Sequence, residues 1–342
     1  MALRNLDKIG VSVVICCYNG AKRILHCLEH LSKQRNIDFS WEILLIDNNS
    51  TDNTAKIAND YWNSLYSEVP LIIIHEPRPG TMYARRTGIE SANYRYLLYC
   101  DDDNWLNEDY VKTAFDIITS NGEIAVVGGH GILELESKEN IPAWLDKFKY
   151  SYGAGPQGKV DGDTTHDKGC LYTAGAMLDR VWLNKLFEFD FTSSLKGRDG
   201  KSLVAGEDTE LTYALKIIGG KLYYSSKMHF RHFMPVTRIQ WSYLQRLHES
   251  FGYSDILLSP YTDFIYKGKM LPVSRVIINT LRIFKNRYEV AKKTSFAEGS
   301  LEVLNVCRSR GAIKALARNM RIYTANKSMV TLLLNKCKAE QA

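Results

Sequence analysis

The chain has 342 residues, 45% of them hydrophobic and 24% charged, and its formal net charge is +6. This composition is normal for a globular protein, and the length allows one large domain or two ordinary ones. The seven cysteines form no CxxC pair, which argues against a disulfide framework and favours a reducing compartment. No apolar run reaches about 18 residues and the N-terminus lacks an apolar core, so we expect neither a membrane span nor a signal peptide.

The charge is unevenly distributed along the chain. Residues 236–342 contain 18 basic and 7 acidic residues, whereas residues 1–235 carry a net charge of −5. A basic C-terminal region indicates an anionic partner, for which membrane headgroups and nucleic acid are the candidates. The sequence has no helix-turn-helix, zinc-finger or RNP pattern, so we expect no nucleic-acid partner.

Buried strands alternate with amphipathic helices over the first hundred residues. The apolar runs predict strands at Val11–Cys16, Trp41–Ile46, Leu71–His75 and Tyr96–Cys100. This alternation indicates βαβ units and an α/β fold with a mostly parallel sheet. Polar residues follow each strand, and the carboxyl ends of parallel strands share one edge of the sheet. We therefore expect Asp47, Arg78 and Asp101–Asp103 to lie close together.

The three acids Asp101, Asp102 and Asp103 directly follow the fourth strand. Adjacent carboxylates repel one another, and a divalent cation would neutralise them. The alternative is a solvated turn in which Asp102 or Asp103 caps a helix that begins near Leu106. The sequence has neither a GxGxxG nor a GxxxxGK[ST] pattern, so metal and arginine rather than a glycine loop would hold any phosphate.

The middle of the chain gives weaker signals. Strands are predicted at Ile124–Gly129, Leu171–Leu178 and Lys221–Tyr224, and a helix near Trp144. Gly175 would permit the close approach of a ligand. Residues 192–205 are predicted to form a mobile loop of the kind that covers active sites. Glu207 and Asp208 then begin a helix, where they either cap it or serve chemistry.

After Val236 the periodicity is helical. The segments Leu271–Val290 and Leu301–Tyr323 combine apolar periodicity with many arginines and lysines. Basic amphipathic helices of this type lie on anionic membrane surfaces. The alternative is that their apolar faces pack on the body of the protein and their charges face water.

The motifs, in this order and spacing, resemble those of family-2 glycosyltransferases with the GT-A fold. The matching segments span roughly residues 10–255 and are Val14–Asn19, Ile46–Asp52, Glu76–Gly80 with Ala84 and Arg85, the acidic triplet, Gly206–Leu211 and His232. The resemblance implies a Rossmann-like GT-A domain over residues 1–235, with its nucleotide-sugar half in 1–105 and its acceptor half in 106–235. Residues 236–342 would form a basic helical extension.

The resemblance also implies roles for residues on the donor side. Asp47 would accept a hydrogen bond from the nucleotide base, and Arg85 would lie beside the nucleotide. The other predicted donor-binding residues are Tyr18, Asn19, Arg78, Asp101 and Asp102.

The acidic triplet resembles the DxD motif of this family. Asp101 would contact ribose or metal, and Asp103 would hold Mn²⁺ or Mg²⁺ on the diphosphate. His232 resembles the late histidine that completes the metal or phosphate shell, and His229 is the competing candidate.

Asp208 resembles the catalytic base of inverting members. In such a reaction a carboxylate takes the proton of the attacking hydroxyl, and the transition state is oxocarbenium-like. Trp144, Gly175 and Glu207 are predicted to lie on the acceptor side.

The sequence therefore predicts a metal-dependent, inverting hexosyl- or hexosaminyltransferase of polysaccharide biosynthesis. The expected donor is a UDP-, GDP- or dTDP-sugar, and the expected acceptor is a surface glycan or a lipid-linked saccharide. The expected location is cytoplasmic, peripheral on the inner face of the membrane. One alternative is a sugar-phosphate nucleotidyltransferase, which would need a glycine- and arginine-rich loop after the first strand. The other is a non-catalytic nucleotide-sugar-binding protein, against which the presence of Asp101, Asp103 and Asp208 argues.

Overall fold

The computed structural model describes residues 3–167, 169–195, 197, 206–293 and 297–341. These residues form two compact units. The first unit takes its described residues from Met1–Glu134, Gly153–Phe191 and Ile218–Phe233, and the second from Leu135–Tyr152, Thr192–Ile217 and Met234–Ala342. Most of the predicted loop 192–205 lies outside the described residues.

The elements are numbered along the chain. The strands are β1 (Val11–Cys17), β2 (Trp41–Asp47), β3 (Leu71–His75), β4 (Tyr96–Asp101), β5 (Asn104–Leu106), β6 (Ile124–Leu135), β7 (Gly162–Asp163), β8 (Met177–Asp179) and β9 (Lys221–Met234). The helices are α1 (Ile24–Ser32), α2 (Thr54–Ser64), α3 (Thr81–Ser91), α4 (Tyr110–Thr119), α5 (Leu145–Phe148), α6 (Arg180–Glu188), α7 (Glu207–Ile217), α8 (Trp241–Leu257), α9 (Ser259–Lys267), α10 (Val273–Lys293), α11 (Leu301–Arg318) and α12 (Met320–Gln341).

The first unit is built on one sheet in which β1 to β4 are parallel and lie in the order β3-β2-β1-β4. Beyond β4 the sheet becomes mixed, because β8 pairs antiparallel with β4 and β6, and β5 pairs antiparallel with β9. The register aligns Cys17 with Asp47, Asp47 with His75, and Cys16 with Asp101. The predicted common edge for the ends of the first four strands is therefore confirmed.

The core of the first unit explains why its strands are so apolar. Strands β1, β2 and β4 are buried along almost their whole length, as expected for parallel strands covered on both faces. Leu28 of α1 and Ala114 of α4 belong to the cluster that covers one face. Each fully buried Leu or Ile stabilises the fold by about 1.5–3 kcal/mol, so this cluster fixes the strand ends in place.

Three predicted elements of the first unit differ from the observed ones. Residues 104–106 form β5 and α4 begins only at Tyr110, so the alternative in which the acids cap a helix near Leu106 is wrong. Strand β8 begins at Met177 rather than at Leu171. Strand β9 continues ten residues beyond Tyr224, because its pairing with β5 extends to His232.

The second unit is helical in its described part. Helices α8 and α11 pack so closely that a Cβ atom on Gly252 would overlap the carbonyl oxygen of Arg308, and one on Gly311 would overlap that of Glu249. The predicted helix Leu301–Tyr323 is two helices, because α11 ends at Arg318 and α12 begins at Met320. No helix in the described ranges is long and apolar enough to cross a bilayer.

We predict that Gly252→Ala and Gly311→Ala each lower the free energy of unfolding by about 1–3 kcal/mol, because the added methyl group must push two backbones apart. The gain in helix propensity, about 1 kcal/mol, offsets only part of this cost. Gly122→Ala is the control, since a Cβ atom there meets no other atom within 4 Å. Urea denaturation measures the three variants, and midpoints equal to that of the wild type for all three would contradict the close packing.

Candidate functional site

The loop after β1 is fastened to the loop after β2 by hydrogen bonds. Asn19 adopts a left-handed conformation with φ of 48°. Its backbone N–H donates to Ser50 Oγ at 3.0 Å, and its side-chain oxygen accepts from the Thr51 N–H at 2.8 Å. Tyr18, next to it, is 51% exposed. Asn19 therefore shapes the edge of the sheet, whereas the Tyr18 ring is open to a ligand.

Asp47 lies at the end of β2 with only 9% of its surface exposed. One carboxylate oxygen accepts from the Ser50 N–H at 3.2 Å, and the other lies 3.7 Å from Nδ1 of His75. The turn N–H thus holds the Asp47 side chain at the shared edge, where it can accept a further hydrogen bond.

Asn48 connects the β2 and β3 loops, a role that its position in the sequence does not reveal. Its Nδ2 donates to the carbonyl oxygens of Glu76 and Arg78 at 3.3 and 2.7 Å, and its Oδ1 accepts from the Gly80 N–H at 2.8 Å. The only sequence signal was its place in a polar turn, which does not reveal partners about thirty residues away.

Arg78 is held by the buried carboxylate of Glu76. Its Nε and Nη2 donate to the two Glu76 oxygens, each at 2.8 Å, and Thr87 donates to the same carboxylate. The hydrogen bonds from Arg78 lower the pKa of Glu76 to about 2. The guanidinium stacks over Tyr83 and remains half exposed, so it presents a fixed positive charge beside the sheet edge.

Arg85 projects from α3, the next helix along the chain. Its guanidinium lies 5.4 Å from the centre of the buried Tyr99 ring. Stacking of this kind orients the planar cation. Arg78 and Arg85 thus place two positive charges on the chain that follows β3.

The middle acid of the triplet, Asp102, points into the protein. Nη2 of Arg23 donates to its Oδ2 at 2.6 Å, and Sγ of Cys17 donates to the same oxygen at 3.2 Å. Burial and the neighbouring Asp103 raise the pKa of Asp102 to about 6, against the lowering effect of Arg23. A Cβ atom on Gly20 would collide with Asp102 and Cys17, so the loop needs glycine there.

Asp103 lies beside His232, and this contact depends on the pairing of β5 with β9. His232 is opposite Asn104 in the register, and the Phe233 N–H donates to the Asp103 carbonyl oxygen at 2.8 Å. His232 Nε2 is 3.7 Å from Asp103 Oδ1. His229 is three residues earlier on the same strand, hence on the opposite face, and it is exposed. The structure therefore brings His232, and not His229, next to Asp103.

The Asp103–His232 pair fits one divalent cation. An ion with bonds of about 2.1 Å can reach both side chains across their 3.7 Å separation. In the described part of the chain, no three His, Cys, Asp or Glu side chains converge as a complete metal site. A magnesium-type ion keeps several waters and binds through one or two carboxylates plus substrate phosphates, so an incomplete protein shell suits it. Asp101, which accepts a weak hydrogen bond from Asn104 at 3.5 Å, is the other outer acid of the triplet.

Gly175 adopts a left-handed conformation with φ of 69° in the turn before β8. Its carbonyl oxygen accepts a hydrogen bond from the Tyr110 hydroxyl at 2.7 Å, and a Cβ atom there would collide with that hydroxyl and press on Phe230. The close approach expected at Gly175 is thus made by side chains of the protein itself. Its acceptor-side role stays a prediction.

Trp144 is a buried packing residue of the second unit. Its indole N–H donates to Glu298 at 2.7 Å, and its ring lies 5.4 Å from that of Trp241. These contacts are sufficient to account for a tryptophan at this position, close to Pro142, without any contact to an acceptor. Its assignment to the acceptor side stays a prediction.

The predicted base, Asp208, lies in the first turn of α7 in the second unit. Its Oδ1 accepts from the Thr209 N–H at 2.7 Å, and Glu207, which is buried, accepts from the Gly206 N–H at 3.0 Å. Negative charge is favoured at a helix N-terminus, so both acids suit their positions structurally. Their catalytic and acceptor-side roles stay predictions.

Glu210 holds α7 in place, a role that the sequence does not predict. Its carboxylate is fully buried and accepts from the hydroxyls of Ser193 and Ser194 at 2.6 and 3.0 Å and from the Leu195 N–H at 3.3 Å. The Tyr261 hydroxyl donates to it from α9 at 3.3 Å. Burial raises the pKa of Glu210. Its partners lie up to 51 residues away in sequence, which explains why the motif alone did not reveal them.

Comparisons with known proteins agree with this architecture. The family described as "Glycosyl transferase family 2" matches residues 12–187, just over half of the chain. Glycosyltransferase AglE of Haloferax volcanii is 32% identical over 120 residues, which are 35% of this chain and 38% of that protein. The poly(ribitol-phosphate) β-N-acetylglucosaminyltransferase TarS of Staphylococcus aureus is 28% identical over 137 residues, or 38% of this chain and 24% of that protein. The chain thus spans less than half the length of these relatives.

Two solved structures share the fold. The mannosyltransferase PcManGT of Pyrobaculum calidifontis, in complex with GDP-Man and Mn²⁺, superposes with a TM-score of 0.56 at 15% identity, covering 98% of this chain and 88% of that one. Residues 1–349 of S. aureus TarS, in complex with UDP-GlcNAc, superpose with a TM-score of 0.51 at 14% identity, covering 90% and 92%. At these identities the likeness shows the fold, which is that of GT-A glycosyltransferases.

We predict that His232→Ala weakens the Mn²⁺-dependent binding of a nucleoside diphosphate by about tenfold or more, because it removes a group beside Asp103. His229→Ala is the matched control, since its side chain faces the other way and its removal leaves the affinity unchanged. Isothermal titration calorimetry with and without Mn²⁺ measures both variants. Equal losses in the two variants, or a loss confined to His229→Ala, would contradict the assignment.

We also predict that Arg23→Met lowers the free energy of unfolding by about 1–3 kcal/mol, because it leaves the buried Asp102 carboxylate without its charged partner. Adding Asp102→Asn should restore part of the loss. Arg35→Met, which removes an exposed ion pair with Asp109, should cost less than about 1 kcal/mol. Urea denaturation of these three variants measures the contribution of the Arg23–Asp102 pair. Equal losses of unfolding free energy in Arg23→Met and Arg35→Met would contradict the prediction.

Proposed function

The chain belongs to glycosyl transferase family 2, and we propose that it transfers a sugar, with inversion, from a nucleotide-diphosphate donor to an acceptor hydroxyl. The observation that carries the proposal is the shared strand edge, where Asp47, two outer acids of the triplet and His232 lie within one unit. The relatives named as glycosyltransferases support the activity. The neighbours in complex with UDP-GlcNAc and GDP-Man support a nucleotide-sugar donor.

The chemistry of the edge suits the parts of such a donor. Asp47 would accept a hydrogen bond from the ring N–H of the base, and the exposed Tyr18 ring would cover the base on one side. Asp101 would either accept a hydrogen bond from a ribose hydroxyl or contact the metal ion. Arg78 and Arg85, both oriented by stacking on tyrosines, would attract the diphosphate.

We propose that Asp103 and His232, together with Asp101, hold Mn²⁺ or Mg²⁺. Such an ion stabilises the negative charge that develops on the departing diphosphate. The donor set of the Asp103–His232 pair and the Mn²⁺ complex of PcManGT support this assignment. The inward orientation of Asp102 fits it as well, since a paired middle acid leaves two acids for the ligand.

Asp208 is proposed as the general base. It would accept the proton of the acceptor hydroxyl as the oxygen attacks the anomeric carbon, on the face opposite the carbon–oxygen bond to the diphosphate. One carbon–oxygen bond forms as the other breaks, so the configuration inverts. Glu210, which anchors α7 by hydrogen bonds to Ser194 and Leu195, would keep the Asp208 carboxylate in position.

For the acceptor we propose a surface glycan or a lipid-linked saccharide at the cytoplasmic face of a membrane. The poly(ribitol-phosphate) transferases among the relatives support a polymeric acceptor. The excess of basic residues in 236–342 supports an anionic membrane surface as a further partner. Trp144, Gly175 and Glu207 are the acceptor-side candidates.

The reaction class is tested by incubating the protein with Mn²⁺ and a panel of UDP-, GDP- and dTDP-sugars. We expect slow hydrolysis of one donor to its nucleoside diphosphate, because water replaces the acceptor in glycosyltransferases. Production of nucleoside triphosphate from a donor and pyrophosphate would instead indicate a nucleotidyltransferase. Binding of a donor without any turnover would indicate a non-catalytic binding protein.

We predict that Asp103→Ala and Asp208→Asn each reduce this turnover to background, and that only Asp103→Ala weakens Mn²⁺-dependent donor binding. The reason is that one side chain would hold the ion and the other would take a proton. Asp60→Asn, an acid on α2 paired with Lys56 at the surface, is the control and should keep full activity. Unchanged donor hydrolysis in Asp208→Asn would contradict the base assignment.

A further inference from the structure

Helix α10 exposes a continuous apolar stripe. Val273, Ile277, Leu281 and Tyr288 are between 36% and 51% exposed, and half-buried Phe284 stacks on Tyr288 within the same stripe. The spacing of three or four residues places these side chains on one face of the helix. An apolar face of this length is unusual on a helix that faces only water.

The residues that attach α10 to the rest of the second unit border the apolar stripe. Val276, Thr280 and Ala291 are its buried residues, and Arg287 donates to Ser309 Oγ of α11 at 2.9 Å. The attached surface thus runs along one edge of the stripe, whose own residues stay at least partly exposed.

Positive charges border the stripe. The 21 residues of α10 contain six arginines and lysines and one acid, Glu289. Lys285 and Lys292 follow Leu281 and Tyr288 by four positions, so each lies one turn away from a stripe residue. Arg282 lies farther round on the same side. Cations thus border the stripe on one side, and the exposed Ile278 lies among them, whereas the exposed Ile283 and Val290 lie on other faces of the helix.

Helix α11 has the opposite arrangement, although the two segments are similar in sequence. Val303, Leu304, Val306 and Cys307 of α11 are buried, and the helix packs closely on α8. Of the two alternatives open for the basic segments, packing applies to α11. Among the described residues, the apolar stripe of α10 stays partly exposed.

We propose that α10 lies in the plane of an anionic lipid membrane, with the stripe among the lipid chains near the headgroups and Arg282, Lys285 and Lys292 on the phosphates. Charge complementarity selects this partner, because an apolar stripe bordered by cations matches the headgroup boundary. A second copy of α10 would bring two strongly basic helices together, which repulsion opposes. The inference deepens the proposed function, on which it rests for a membrane-linked acceptor.

Flotation of the full-length protein with phosphatidylcholine vesicles, with and without phosphatidylglycerol, tests the proposal. We expect binding to the anionic vesicles that weakens with added salt. Arg282→Glu/Lys285→Glu and Ile277→Ser/Leu281→Ser should each lower the bound fraction at least about tenfold, since they remove the charged and the apolar contribution respectively. Arg318→Glu/Arg321→Glu is the matched control, with the same charge change at exposed positions on α11 and α12, and should lower binding less.

Three results would overturn the proposal. They are no flotation of the wild type with anionic vesicles, equal losses in the α10 and control charge variants, and a wild-type dimer in light scattering that Ile277→Ser/Leu281→Ser dissociates. Donor hydrolysis by the same variants in solution should equal that of the wild type. Absence of wild-type flotation with intact donor hydrolysis would therefore be a failure of this inference alone, whereas absence of donor hydrolysis would be a failure of the proposed function.

Discussion

The candidate site depends on the partly buried ion pair between Arg23 and Asp102. Three adjacent carboxylates at the end of a central strand would repel one another. Arg23 neutralises the middle one, because the Asp102 side chain points toward the loop after β1. Hydrogen bonds to a charged partner compensate for the loss of hydration that burial imposes on Asp102. The outer acids are then separated along the chain, and β5 can follow at once and bring Asp103 to His232.

The loops after β1, β2 and β3 are joined to one another by hydrogen bonds of two amide side chains. Asn19 binds the β1 loop to the β2 loop, and Asn48 binds the β2 loop to residues 76–80. Backbone groups in such loops need hydrogen-bond partners once they are shielded from water, and asparagine can donate and accept at the same time. Tyr18, Asp47 and Arg78 are therefore presented by a stiff edge, which reduces the ordering cost of binding a ligand.

The sequence predicted the first four strands and their common edge because that information is local and periodic. Partners distant in sequence were not predictable in this way: Arg23 and Asp102 are 79 positions apart, and no periodicity relates a lone arginine before a helix to an acid after a strand. For a similar reason the sequence could not distinguish between His229 and His232 as the site histidine. The apolar run predicted a strand ending at Tyr224, and only the continuation of β9 to Met234 places the two histidines on opposite faces.

The C-terminal helices show why charge counts do not identify a binding surface. Arg308 and Lys314 of α11 form ion pairs with Asp255 and Glu249 of α8, so part of the basic excess serves contacts within the unit. Both helices look basic and amphipathic in sequence, and they differ in what covers their apolar residues. A membrane surface requires exposed apolar residues and cations on the same side of one helix. Helix α10 meets this requirement because its buried residues, Val276, Thr280 and Ala291, lie along one edge of the apolar stripe and leave the stripe itself partly exposed.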